Sequence, residues 1–157
     1  MRAHWVGAAG LAALLSLSAA CLLGSGAGRG PLTLADAAER AQDPARRASM
    51  RLVQAASAAL HRDDPEGARS LAERALRVDG VNPYAYLVLG EAEAAVGDAD
   101  LALANLDRAE GLLAAREPES RLFRARALLR AADLLERSGS VDAARERRER
   151  ARSLLAE

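Results

Sequence analysis

A chain of 157 residues has room for one modest domain and a targeting segment. Half of it is apolar, yet only Trp5, Tyr84, Tyr86 and Phe123 are aromatic; a core of Ala and Leu suits closely approaching helices and disfavours sheets. The 22 basic residues, all Arg, balance 22 acids, which excludes a uniformly basic nucleic-acid-binding domain.

The first 20 residues read as an export signal. Arg2 supplies a positive start, and an uncharged run follows from Val6 to Leu23, interrupted by Gly7, Gly10, Ser16 and Ser18. Cys21 is the only cysteine, so no disulfide forms within the chain. Leu17-Ser18-Ala19-Ala20-Cys21 resembles the lipobox of bacterial lipoproteins, in which small residues precede a Cys that is lipidated and becomes the new N-terminus. Ser18 stands where that motif usually has Leu. The resemblance implies a multiply acylated Cys21, a durable membrane tether, and a place in the bacterial cell envelope. In a Gram-negative cell that is the outer membrane, facing the periplasm. Two other readings stay open: cleavage after Ser25-Gly26-Ala27, or an uncleaved anchor, because the apolar run just reaches spanning length.

Residues 21–32 contain Gly24, Gly26, Gly28 and Gly30 and read as a flexible tether, with a reach of about 17 Å over ten residues. No strand precedes these glycines and no Lys-Ser/Thr pair follows, so they do not form a phosphate cradle.

From residue 33 to 157 the pattern predicts helices throughout. Thr33 with Asp36 caps a short helix over about 33–42. Asp43-Pro44, Asp64-Pro65 and Asn82-Pro83 open helices running to about His61, Val78 and Val96. In each pair the first side chain caps and Pro fits the first helical turn. A fifth helix is predicted near 99–115 and a sixth from about Glu119 to Arg137. After Ser138-Gly139-Ser140 a last helix covers 141–155. No segment shows the alternation of a strand.

A pattern returns after 34 residues. Ala56, Asp64, Ala68 and Ala75 are answered by Gly90, Asp98, Ala102 and Ala109, and Leu52, Ala55 and Val78 by Tyr86, Leu89 and Leu112. With eight more residues allowed, Ala132, Gly139, Ala144 and Ala151 continue it, with Leu128 and Leu135 as large residues. This resembles the tetratricopeptide repeat, in which small residues sit where paired helices cross and a turn Gly separates them. The link Asp79 to Pro83 is similar to the family's connection between units, while Glu93 stands where the family often has an aromatic. The resemblance implies an all-α fold, a stacked helix-turn-helix α-solenoid of about three units over 49–82, 83–116 and 125–157. The register alone also fits a plain helical bundle.

Such solenoids hold another protein or peptide in a concave groove lined by the first helix of each unit. The matching positions are Met50, Val53, Gln54 and Ser57; Tyr84, Leu87, Val88 and Glu91; and Arg126, Leu129, Arg130 and Asp133. The Lys/Asn clamp that some members use for terminal carboxylates is missing. The expected function is a non-enzymatic adaptor or scaffold; the other reading is a structural subunit of an envelope assembly without a peptide groove.

Catalysis has little to work with. The histidines are His4, in the leader, and His61, at a helix end where a positive charge is favourable. No Gly-x-Ser-x-Gly elbow and no metal-ligand set is present, so no cofactor, metal or small-molecule substrate is expected. Charge is uneven: residues 33–120 hold 10 Arg against 16 acids, net −6, and residues 121–157 hold 10 against 6, net +4. That asymmetry gives a surface able to orient a partner. In the basic end, Glu146 and Glu149 lie one turn from Arg150 and Arg145, as in a self-paired, solvated face.

Overall fold

The computed structural model describes residues 33–156. The leader, Cys21 and the tether therefore lie outside the described residues. Within them the chain is all-helical: α1 (Leu34–Arg40), α2 (Pro44–His61), α3 (Pro65–Val78), α4 (Pro83–Val96), α5 (Ala99–Arg116), α6 (Arg121–Arg137) and α7 (Val141–Ala156). Consecutive helices pack on one another, most extensively as the pairs α2–α3, α4–α5 and α6–α7, and α4 also touches α2 and α6. No helix among the described residues is long and apolar enough to cross a membrane.

The helix starts follow from local chemistry. Thr33 and Asp36 form a capping box on α1. Asp43, Asp64, Asn82 and Asp98 each accept a backbone N–H from the first turn that follows, and Pro44, Pro65 and Pro83 stand where an N–H would have no helical partner. Ser120 precedes α6 without capping it, because its hydroxyl is held instead by Tyr84 at 3.0 Å.

Within each pair the turn has one shape. Asp63, Gly97 and Gly139 take positive φ values of 60°, 103° and 86°. The next N–H then reaches back to a carbonyl five residues earlier: Asp64 to Ala59 at 3.0 Å, Asp98 to Glu93 at 2.9 Å and Ser140 to Leu135 at 2.8 Å. This is the backbone closure of a Schellman motif. Gly meets the left-handed conformation without strain at two of the three turns, and Asp is among the few other residues that tolerate it.

The links between pairs also share a shape. Asp79 and Glu117 cap the ends of α3 and α5. Their carbonyls accept the N–H of Asn82 at 3.1 Å and of Ser120 at 2.8 Å, the residues that precede α4 and α6. The eight extra residues of the last stretch are almost all helix: α5 has 18 residues against 14 in α3, and α6 has 17 against 14 in α4. The position 125, expected to begin a unit, falls inside α6.

Small residues carry the close approaches. Ala56, Ala68, Ala75, Ala102, Ala109, Ala132, Ala144 and Ala151 are all fully buried. At Gly90 a Cβ would stand 2.8 Å from Leu106 Cγ and 3.0 Å from the carbonyl oxygen of Ala102. Gly90→Ala should therefore destabilise the fold by about 1–2 kcal/mol, an overpacking cost only partly offset by the better helix propensity of Ala. Gly111, in α5 with nothing within 4 Å of its Cβ position, provides the contrast: Gly111→Ala should stabilise by up to about 1 kcal/mol. Urea unfolding midpoints moving in opposite directions would bear out this packing; equal shifts would contradict it.

Candidate interaction surface

The face that carries the expected groove positions is formed by α2, α4 and α6, and the chain itself occupies most of it. Met50, Val53, Tyr84, Leu87 and Val88 are buried to 1 % exposure or less and belong to one core cluster with Ala37 of α1 and Phe123 and Ala127 of α6. Ser57 and Glu91 are also buried. Glu91 lines the open cavity described below, but the chain itself covers nearly all of these seven side chains, in contrast to the expectation of a groove lined along its length. The reason is the direct packing of α2 and α6 onto α4, which is buried almost throughout from Pro83 to Glu93. Of the remaining positions, Gln54, Arg126 and Asp133 are partly exposed, and Leu129 and Arg130 are exposed. The accessible part of the expected groove is thus concentrated on α6.

Polar groups fasten the end of this face where α2, α4 and α6 begin. Arg46 of α2 reaches both link acids, Asp79 at 3.3 Å and Glu117 at 2.5 Å. Tyr84 Oη donates to Glu117, and its ring meets Phe123 edge-on with centroids 4.9 Å apart. Burial, and then the Glu117 carboxylate, push the Tyr84 phenol well above its ordinary value, so it remains a donor. Beside it, Ser49 Oγ donates to the Ala75 carbonyl at 2.8 Å and accepts from Asn82 Nδ2 at 2.8 Å. Arg46, Ser49, Glu117 and Ser120 were not singled out in the sequence. The recurring spacing of an acid three residues before an Asn or Ser, in Asp79–Asn82 and Glu117–Ser120, was the signal available.

The other end is open. A cavity of about 340 Å³ lies among the last turns of α2 and α4 and the body of α6, lined by His61, Glu91, Ala94, Ala95, Arg126, Arg130, Arg137 and Leu60. Arg126 clasps Glu91 with two hydrogen bonds of 2.5 and 2.6 Å, and Arg130 approaches the same carboxylate at 3.7 Å. His61 turns its Nδ1 to the Ser57 carbonyl at 2.7 Å, closing the end of α2.

One carboxylate is badly placed. Glu93 is 3 % exposed, and its Oε2 has no hydrogen-bond partner. Arg69 stands 3.3 Å from the other oxygen. Desolvation raises the carboxyl above its ordinary value, with Arg69 pulling the other way. At the basic end, the guanidinium groups of α7 pair mostly with other helices: Arg147 with Asp107 of α5, Arg150 with Glu110 at 3.5 Å, and Arg148 with Asp133 and Glu136 of α6. Arg145 pairs with Asp142 within α7 at 3.0 Å. These partners differ from the Glu146 and Glu149 expected from helical spacing, because the charged face of α7 leans over α5 and α6.

Among the described residues no three His, Cys, Asp or Glu side chains converge as metal ligands would. No protein-family model matches the chain, and no curated protein is significantly similar to it.

Proposed function

We propose that this chain is a non-enzymatic protein-interaction module of the tetratricopeptide type, with about three units, exported to the bacterial cell envelope and tethered to the membrane through lipidated Cys21. The observation that carries the fold part of this reading is the same left-handed turn at Asp63, Gly97 and Gly139, each set between helices that bury Ala or Gly where they cross. Stacked pairs of this kind present one continuous inner face, and here its accessible part is made of Arg126, Leu129, Arg130 and Asp133 of α6 together with Gln54 of α2. The cysteine after Ala19-Ala20 and the Gly-rich stretch behind it support the tether.

A photo-crosslinking residue at Leu129 should capture a defined envelope protein, whereas the same residue at Arg74, exposed on α3, should not. Capture at neither position, or equally at both, overturns the adaptor reading. Cys21→Ser should release the protein from membranes, and continued retention with unaltered mass overturns the lipid tether. The burial of Met50, Val53, Tyr84, Leu87 and Val88 favours a second reading, a helical structural subunit of an envelope assembly. Crosslinks from Arg74 as strong as those from Leu129 would support that reading.

A further inference from the structure

The open cavity holds three guanidinium groups and an imidazole against a single carboxylate. Part of that charge has a local explanation. His61 and Arg137 stand in the last turns of α2 and α6, where a helix end carries about half a negative charge. Arg126 and Arg130 stand on the body of α6, about three and about two turns before its end respectively, and the helix end does not account for them. They share one anion, Glu91, whose two oxygens are already held by Arg126. Arg130 keeps 58 % of its side chain exposed and lies 3.7 Å from that filled carboxylate. Among the described residues Arg137 has no ion-pair partner.

Guanidinium forks match planar carboxylates in two-point hydrogen bonds, and the cavity's remaining wall is apolar, from Ala94 and Ala95. Residues 1–32 contain no Asp or Glu, so that part of the chain has no carboxylate side chain to place there. The geometry points to this cavity as the site that receives an acidic segment of the partner protein, with its carboxylates on Arg130 and Arg137 and its methylene groups against Ala94 and Ala95. This assignment rests on the adaptor reading and names the chemistry of its ligand. Glu91 sets the affinity from inside: it holds Arg126 in place and partly neutralises Arg130.

The test uses the full chain in detergent at low salt and a fluorescein-labelled hexaglutamate peptide with an amidated end, followed by fluorescence anisotropy. The peptide should bind, weaken as salt is raised, and outcompete a hexaglutamine peptide. Arg130→Gln with Arg137→Gln should weaken binding by about tenfold or more. Glu91→Gln should tighten it severalfold, a gain that loss of folding cannot imitate. Absence of hexaglutamate binding, or binding indifferent to both sets of substitutions, overturns the assignment. If hexaglutamate fails while Leu129 still crosslinks a defined protein, the cavity's role falls and the adaptor reading stands. Failure of both overturns the two together.

Discussion

Tyr84→Ala should lower the stability of the fold by about 3–5 kcal/mol, the range for removing a buried aromatic, and depress the melting temperature by roughly 10–20 °C. Tyr84 is the largest fully buried side chain of the described residues and stands where α4 meets α6. Its loss removes the edge-on contact with Phe123 and strips Glu117 and Ser120 of a shared partner. Tyr84→Phe separates the two contributions. It keeps the ring and removes only the hydroxyl, so it should cost about 1 kcal/mol, since Glu117 keeps Arg46 and is partly hydrated. Thermal melts followed by circular dichroism measure both. If the alanine variant melted within a few degrees of the parent, the burial of Tyr84 would be wrong and an inner-face position open to a ligand would be restored. At temperatures where the variant stays folded, it should still crosslink through Leu129, because Tyr84 is a core residue and Leu129 is exposed.

The same residue shows what was legible in the sequence. Helix boundaries were, because capping and proline placement are local: Asp43-Pro44, Asp64-Pro65 and Asn82-Pro83 each mark a helix start without reference to the rest of the chain. The turns at Gly97 and Gly139 were legible for the same reason. The fate of the α4 face was not. Tyr84, Leu87 and Val88 occupy groove positions by register, and register fixes which face a residue is on, not how closely neighbouring helices cover it. That closeness depends on Ala127 and Phe123 of α6 and Ala37 of α1, all distant in sequence. The Arg-rich end failed in a similar way. Helical spacing offered partners within α7, whereas Arg147 and Arg150 found theirs on α5, a choice only tertiary packing makes.

Glu93→Leu should stabilise the protein by about 1–3 kcal/mol at neutral pH, because it removes a buried carboxylate with one unsatisfied oxygen. The melting temperature should rise by roughly 3–10 °C. The usual penalty for breaking a buried pair is small here: Arg69 is 37 % exposed and keeps Glu73 at 3.4 Å, so it remains hydrated and paired. The pH dependence gives the effect a signature. Desolvation raises the Glu93 carboxyl above 4.5 in the folded chain, so the native state takes up this proton before the unfolded state does. The cost of Glu93 is therefore fully present above the raised value, where both states are ionised, and it is relieved as pH falls through that value toward 4.5. The advantage of the leucine variant over the parent should be greatest above the raised value and shrink on acidification through it, opposite to the trend of carboxylates that are well paired when folded. Glu93→Gln should fall between the two, since it discards the charge but leaves a polar atom in the same unpaired place. A gain that did not vary with pH would mean that burial of the charge is not what the substitution relieves. Destabilisation by Glu93→Leu would mean that the Arg69 pair holds α3 against α4 more strongly than burial opposes it.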